Sequence, residues 1–521
     1  MIEPPADLAA RAARQRVIVI GGGIGGLVAA RECAKVGMPV TLLEAGDELG
    51  GSIRTVELDG IRVDAGAESF ATRGGHVREL IDALGVGDAV VSPAGGGAWL
   101  TGIPGTPDAP LPVGGILGIP ANPFQPDVRR IIGWSGAWRA YLDRVRPVLT
   151  IGNAQSLGKL VASRMGARVR DRLVAPVTAG VYSAHPDDVD MDAAAPGLNA
   201  ALTRAGSLSG GVAALRDEQQ QAREGKAPGS AVQGLVGGMG VLIDALRADL
   251  DTYGVEVRTG VRVTGIAHAA SGWVVTAQVR PDDAQVRPDG AQVRPDGAQV
   301  RPEDAQAGRE DEAENAAPVT EELAATAVIV ATPEPVAHRL LDGIVDGLGQ
   351  PGKAPEIELV TLVLDAPELD AAPRGSGVLT VPGSRAAKAL THSTAKWPWL
   401  REAAGDRHIV RVSFGTQGEP AATASLDDEA AALLALSEAS AMLGVSLQPH
   451  QLRAAYRARY TQAQPSSVIG AADRRRAAKA AIAKVDGLAV VGAWVAGTGL
   501  AQVVPDAIAE GDRLRRALLW D

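Results

Sequence analysis

The apolar run Val17-Ile18-Val19-Ile20 ends on a string of glycines, Gly21-Gly22-Gly23-Ile24-Gly25-Gly26, and a second apolar run, Val40 to Leu43, closes on Glu44. Few local patterns restrict a fold as tightly. Four consecutive β-branched residues stopped by glycine read as a buried parallel strand. Gly25 to Val36 reads as a helix, with Leu27, Ala30 and Ala34 along one side and Gly37 placed to end it. Strand, helix and strand within about 30 residues make a βαβ unit. In Gly21-x-Gly23-x-x-Gly26 the first glycine permits a tight turn, the second lets backbone approach a diphosphate, and the third lets helix and strand pack closely. The free N–H groups and dipole at the helix start favour phosphate there. Glu44 is positioned to accept hydrogen bonds from an adenosine ribose, and its charge repels the additional phosphate of NADP. Glycine makes up 63 of 521 residues, so the string alone is a weak signal. The strand before it, the helix after it and the spaced acid give it weight, and the reading is a site for an adenine dinucleotide.

A second glycine pair separates FAD from NAD. After Glu44 come Leu49-Gly50-Gly51-Ser52-Ile53-Arg54-Thr55 and then Val63-Asp64-Ala65-Gly66-Ala67-Glu68-Ser69. The pattern Glu-x5-Gly-Gly-x3-Thr resembles the second dinucleotide signature of the amine-oxidase-like FAD superfamily. In that superfamily the glycine pair and a basic residue approach the FAD diphosphate, and the later turn approaches the flavin. Near the C-terminus, Leu488 to Val491 runs into Gly492-Ala493-Trp494-Val495-Ala496-Gly497-Thr498-Gly499-Leu500. A strand entering glycines and then a helix offers a further backbone cradle, suited to the flavin edge where reduction places negative charge.

Bulk properties narrow the classes. A net charge of −10 and a pI near 5.4 argue against nucleic-acid binding, which needs a basic face. The single cysteine, Cys33, excludes an internal disulfide and any flavoenzyme chemistry that needs a cysteine pair. No stretch approaches the roughly 18 apolar residues of a membrane span. Residues 1–16, with Pro4 and Pro5, read as a flexible leader without a signal-peptide core. The expectation is a cytoplasmic protein, with peripheral membrane contact left open. The seven histidines show no metal-ligand spacing, so no metal is expected.

The fold class expected is α/β: a Rossmann-type FAD-binding domain, a mixed-sheet substrate domain and a helical, membrane- or cap-like domain. The FAD-binding domain is read as discontinuous, over 17–98, 231–277, 318–336 and 455–521, with 99–205 mostly helical and 206–230 plus 337–454 as the substrate domain. Trp134 and Trp138, four residues apart, are read as core. Gln278 to Ala305 repeats a seven-residue unit four times (QVRPDDA, QVRPDGA, QVRPDGA, QVRPEDA). A proline in every unit and one sizeable apolar residue exclude a coiled coil. With the acidic stretch after it, 278–317 reads as a disordered insertion. A last helix is expected over Ala501 to Leu519, with Pro505 as a kink point.

Several segments, in order along the chain, make the resemblance more specific. They are Gly66 to Phe70 with Arg73, Val113 to Pro120, Ala175 to Ser183, Arg374 to Thr380, Lys388 to Trp397, Val412 to Gly415 and Arg459 to Pro465. Together they resemble the protoporphyrinogen/coproporphyrinogen oxidase family, most of all its actinobacterial, coproporphyrin-forming branch. The resemblance implies an FAD enzyme of haem biosynthesis that removes six hydrogens from coproporphyrinogen III in three flavin cycles, with O2 reduced to H2O2. It also implies a ferrochelatase acting downstream.

Carried over residue by residue, it implies cofactor contacts at Gly21, Gly23, Gly25, Gly26, Glu44, Ala45, Gly51, Arg54, Gly66, Ala67, Glu68, Ser69, Val263, Tyr460, Thr498, Gly499 and Leu500. Val263 matches the strand position whose backbone meets the adenine. Arg73 is the expected cationic partner of a substrate propionate, and Glu68 is read as a turn-stabilising carboxylate. No general base is assigned, because hydride loss from a methylene between electron-rich pyrroles is already favourable. Two positions depart from the family pattern: Tyr460 stands where a tryptophan is usual, and Ala501-Gln502 replaces Pro-Asp. Protoporphyrinogen IX as substrate, an amine or polyamine oxidase, a carotenoid desaturase and a redox-inactive porphyrin-binding chaperone stay open at this point.

Overall fold

The computed structural model describes residues 5–146, 155–221, 231–270, 272–279, 319–352, 355–461 and 467–520. Val17–Ile20 forms the middle of a five-stranded parallel sheet. The order is Glu256–Arg258, Val40–Leu43, Val17–Ile20, Ala327–Val330, Leu488–Val490. Its central strands are apolar at nearly every position because both faces are covered. Val17, Val19 and Leu42 pack under the helices Ile24–Ala34 and Leu500–Trp520. Ile18, Ile20 and Leu43 pack on the other side with Val261, Val263, Trp273 and Val275. Those four residues belong to an antiparallel sheet of Val261–Ala269, Gly272–Val279 and Val319–Ala325. The C-terminal helix carries Pro505 in its second turn.

A second large sheet has seven strands, in the order Leu452–Thr461, Glu356–Leu364, His408–Phe414, Ala389–His392, Gly377–Thr380, Ala98–Thr101, Ala109–Pro110. One face is sealed by the helix Asp428–Leu443, which buries Val360, Leu362, Val410 and Val412. The strand alternation therefore turns Ile357, Leu359, Arg411 and Ser413 to the opposite face. A third core lies among the helices Pro126–Tyr141 (broken at Gly133), Leu157–Met165, Leu198–Ala205 and Leu208–Gln221.

Several expectations need correction. Residues 5–12 of the expected flexible leader form a helix. Leu8 and Ala12, four apart, pack into the first core, and Arg11 donates to the Leu519 carbonyl. Pro5 sits at the helix start, where proline is tolerated because its missing N–H has no partner there. Residues 455–461, expected in the cofactor domain, pair with Glu356–Leu364 in the seven-stranded sheet. Residues 99–101 and 109–110, expected in the helical domain, also join that sheet. Residues 208–221, expected beside the substrate sheet, are a helix whose Leu208 and Val212 enter the helical core. Gln278 and Val279 complete a strand; the rest of the heptad repeat lies outside the described residues. Trp134 and Trp138 are not core: they are 61% and 58% exposed, clustered with Phe124 and Tyr141.

Candidate active site

The glycine string forms the turn its spacing requires. Gly21 has φ +111°, and a Cβ there would lie 2.7 Å from the Ala331 carbonyl oxygen. A Cβ on Gly26 would fall 2.0 Å from the Gly21 oxygen, so no side chain fits. Gly23 is different. It caps the helix Ile24–Ala34 with ordinary extended geometry, and a Cβ there would meet nothing within 4 Å. It has no backbone reason to be glycine, yet it borders open space at a helix start with no side-chain cap and no acid in the first turn. A diphosphate fits such a place by charge and by geometry.

The other motifs converge on this turn. Gly23 bridges Gly50, the Gly50 N–H donates to the Gly22 oxygen at 2.8 Å, and Gly51 (φ +60°) lies against the Gly23 Cα. Gly25 packs against Gly492, which brings the C-terminal turn to the same place. Thr498 and Gly499 lead into the Leu500–Trp520 helix, with Gly499 exposed and Leu500 buried in the first core. The Glu44 carboxylate accepts from the Gly22 and Gly46 N–H groups at 2.6 and 2.8 Å. Ala45 is exposed beside it. The Val261 N–H donates to the Glu44 backbone oxygen, which lays the Val261–Ala269 strand and Val263 alongside the acid.

Beyond Gly51 the chain turns at Gly66, where a Cβ would sit 2.0 Å from the Ser52 oxygen and 2.8 Å from Tyr460 Oη. Here a chamber of about 330 Å³ opens between the Gly66–Ser69 turn, the exposed face of the seven-stranded sheet and the helix Ala175–Tyr182. Ser52, Ala67, Glu68, Ser69, Ser183 and Leu359 are among its walls, with Lys388, Thr391, Arg411, Ser413 and Tyr460. Glu68 ties the turn to the sheet: Lys396 Nζ and Arg411 Nη1 both donate to its carboxylate, the latter at 2.9 Å. Burial alone raises the Glu68 pKa, but the two cations outweigh it and hold the carboxyl at about 2. Asp64 is a contrast. Burial lifts it to about 6 despite the Met239 N–H that it accepts.

Two polar groups at the chamber are buried without a partner among the described residues, Tyr460 Oη and Arg411 Nε. Orphaned buried donors cost stability unless a ligand completes them. Burial pushes the Tyr460 hydroxyl pKa up. Arg54 is exposed and stacks over Tyr456, its guanidinium carbon 6.0 Å from the ring centre.

Arg73, the expected partner of a substrate propionate, lies at the surface. It lies near enough to Tyr182 for its charge to act on that hydroxyl, and it is not among the chamber walls formed by the described residues. The chamber's cations are Lys388 and Arg411, which that reading did not single out. The segment Lys388 to Trp397 held the signal: a lysine beginning a short run whose next residues, Ala389, Leu390 and Thr391, alternate into a sheet. Lys388 is 7% exposed and donates to Ser183 Oγ at 2.5 Å. Ser183 ends the helix Ala175–Tyr182 with φ +52°, a left-handed geometry uncommon outside glycine.

Comparison with known proteins agrees with this construction. The family described as flavin containing amine oxidoreductase matches residues 24–514. The coproporphyrinogen III oxidase of Mycobacterium tuberculosis (strain ATCC 25618 / H37Rv) is 29% identical over 490 residues, which cover 92% of this chain and 93% of that protein. That of Mycobacterium leprae (strain TN) is 28% identical over 519 residues, covering 96% and 97%. A solved structure from Exiguobacterium sp. 255-15, described as a protoporphyrinogen oxidase, superposes with a TM-score of 0.74 at 21% identity, over 96% of this chain and 99% of that one. It shares the fold, a parallel-sheet dinucleotide module joined to a mixed sheet and helices. The turn at Gly21–Gly26, the second pair at Gly50-Gly51 and the closing turn at Gly492 thus have their explanation in descent as well as geometry: the chain belongs to the flavin-containing amine oxidoreductase family, and is a flavin-dependent oxidoreductase.

Proposed function

We propose that the chain binds FAD non-covalently and oxidises coproporphyrinogen III to coproporphyrin III in haem biosynthesis, with O2 as acceptor and H2O2 as by-product. The names of the mycobacterial relatives, matched over nearly their whole length, support the substrate. The observation that carries the reading within the site is its charge. Among the described residues Glu68 is the one carboxylate in the chamber walls, and Lys396 and Arg411 already hold it. Among those residues a protonated amine would find no free counter-ion, and Tyr460 is the one aromatic, too few for an aromatic cage. A macrocycle bearing carboxylates meets cations instead.

In this reading Gly21, Gly23, Gly25, Gly26 and Gly51 receive the diphosphate, Glu44 and Ala45 the ribose, and Val263 the adenine. Arg54, Gly66, Ala67, Glu68, Ser69 and Tyr460 surround the flavin, with Thr498, Gly499 and Leu500 supplying the helix start at its reduced edge. FAD held by these residues would supply the two-electron redox chemistry, with O2 as the final acceptor. The protein's part is to position the macrocycle's methylene bridges and to exclude water. Leu359, Ile357 and Ala389 form an apolar wall for that purpose. The test is aerobic turnover of coproporphyrinogen III, protoporphyrinogen IX and putrescine by the purified protein. The expected result is porphyrin fluorescence and H2O2 with the first, faster than with the second, and no H2O2 with the third. Inactivity toward both porphyrinogens overturns the proposal.

A further inference from the structure

Among the described residues Lys388 is the chamber cation without a carboxylate partner. Arg411 is held by Glu68 and by the Gly66 carbonyl. Lys388 Nζ donates to the neutral Ser183 hydroxyl, and no acid lies within ion-pair distance among the described residues. The charged groups on the elements packed around it are otherwise engaged. Glu358, on the strand beyond Arg411's, is held by Arg457 and Arg459; Glu438 accepts from the Ala387 N–H; the charge of Arg73 acts on the Tyr182 hydroxyl from the surface. His392 and His408, further along the sheet, bond each other. An isolated ammonium in such a place is strongly disfavoured by desolvation.

Resting on the porphyrinogen reading, we propose that Lys388 is a specificity-determining residue that binds a carboxylate of the substrate, and that the amine takes up a proton as the acidic ligand enters. Burial holds the empty-site amine at about 7, so near neutral pH a large share of it is uncharged. An incoming carboxylate supplies the missing counter-charge, raises the amine's proton affinity and completes a charge-assisted pair. The proton comes from solvent and no bond to carbon changes. Ser183, in its left-handed conformation, accepts one Lys388 hydrogen, and both residues line the chamber. An uncharged substrate of the same shape gains none of this, so the device selects for acidic macrocycles.

The experiment titrates the flavin-loaded protein with coproporphyrin III, the redox-stable product, by fluorescence and by calorimetry in two buffers of different ionisation enthalpy. Wild type is expected to bind with uptake approaching one proton at about pH 8 and falling toward none at about pH 6. Lys388→Met, checked for flavin content and fold by visible and circular-dichroism spectra, is expected to bind roughly 10- to 100-fold more weakly, without the uptake. Lys388→Arg, charged throughout, retains more of the affinity than Lys388→Met and takes up no proton. Coproporphyrin tetramethyl ester binds wild type and Lys388→Met equally. If Lys388→Met keeps the wild-type affinity and the proton uptake, this inference fails while the porphyrinogen reading stands. If flavin-loaded wild type binds no porphyrin, the porphyrinogen reading itself fails and takes the inference with it.

Discussion

Arg411 joins the two halves of the active site through Glu68: its Nη1 donates to Glu68 Oε2 at 2.9 Å, while its Nη2 donates to the Gly66 carbonyl. One guanidinium on the seven-stranded sheet thereby fixes the glycine turn that leaves the dinucleotide module. Lys396, from the segment after the Ala389–His392 strand, completes the triad on the other carboxylate oxygen.

Breaking that triad leaves two cations facing each other with little water. Glu68→Gln is expected to destabilise the protein by roughly 3–5 kcal/mol, the range for a buried pair that loses one partner. The pH dependence has a definite sign. The folded carboxyl sits at about 2, below its ordinary 4.5, so its contribution is fully present above 4.5 and is lost as pH falls toward 2. Urea unfolding across that window is expected to show a steeper acid limb in wild type than in Glu68→Gln. An unchanged midpoint would count against the triad.

The glycines separate by what a methyl would meet. Gly23→Ala meets no protein atom, so the apo protein is expected to keep its stability within about 1 kcal/mol. In the proposed binding mode its methyl occupies the diphosphate approach, and FAD affinity is expected to fall by at least about tenfold. Gly26→Ala clashes with the Gly21 carbonyl and is expected to unfold the module or lower Tm steeply. Thermal melts with and without FAD distinguish the two, and equal loss of fold in both variants would contradict the cradle.

Lys388 imposes a stability cost that the empty protein carries. The folded amine sits at about 7 against an ordinary 10.5, so between those values the unfolded chain binds more protons and stability rises with pH. Lys388→Met removes this slope and is expected to stabilise the apo protein near pH 7 by roughly 1–3 kcal/mol. Denaturant midpoints at both ends of the window check it. A destabilised variant with the slope intact would show the amine to be charged and paired.

Trp134 and Trp138 stand on the surface of the helical part with Arg129 stacked on Trp134 at 4.2 Å. Replacing either with serine is expected to change stability by about 1 kcal/mol or less, against roughly 3–5 kcal/mol for a core tryptophan. Acrylamide is expected to quench both strongly in the native state. A large drop in Tm would restore the core reading.

What was legible in the sequence was local. The βαβ unit, the acid at Glu44, the second glycine pair and the C-terminal turn announce themselves by spacing, because a dinucleotide cradle is built from consecutive residues. The strands Leu452–Thr461 and Ala98–Thr101 were misplaced because their partners lie far away in sequence, and nothing local tells which sheet a strand will join. Lys388 and Arg411 were missed for the same reason. Each is an ordinary basic residue on or beside a strand until the sheet's alternation and the Gly66 turn bring both to one chamber. The exposed tryptophans show the converse: helical spacing places two side chains on one face but does not say whether that face is covered.

The most direct measurement mixes flavin-loaded protein with coproporphyrinogen III in the absence of O2 and follows the flavin absorbance. Oxidation of coproporphyrinogen III by the bound flavin predicts bleaching with coproporphyrinogen III, and none with putrescine. A flavin that stays oxidised with coproporphyrinogen III and with protoporphyrinogen IX, in protein that holds FAD normally, would contradict it.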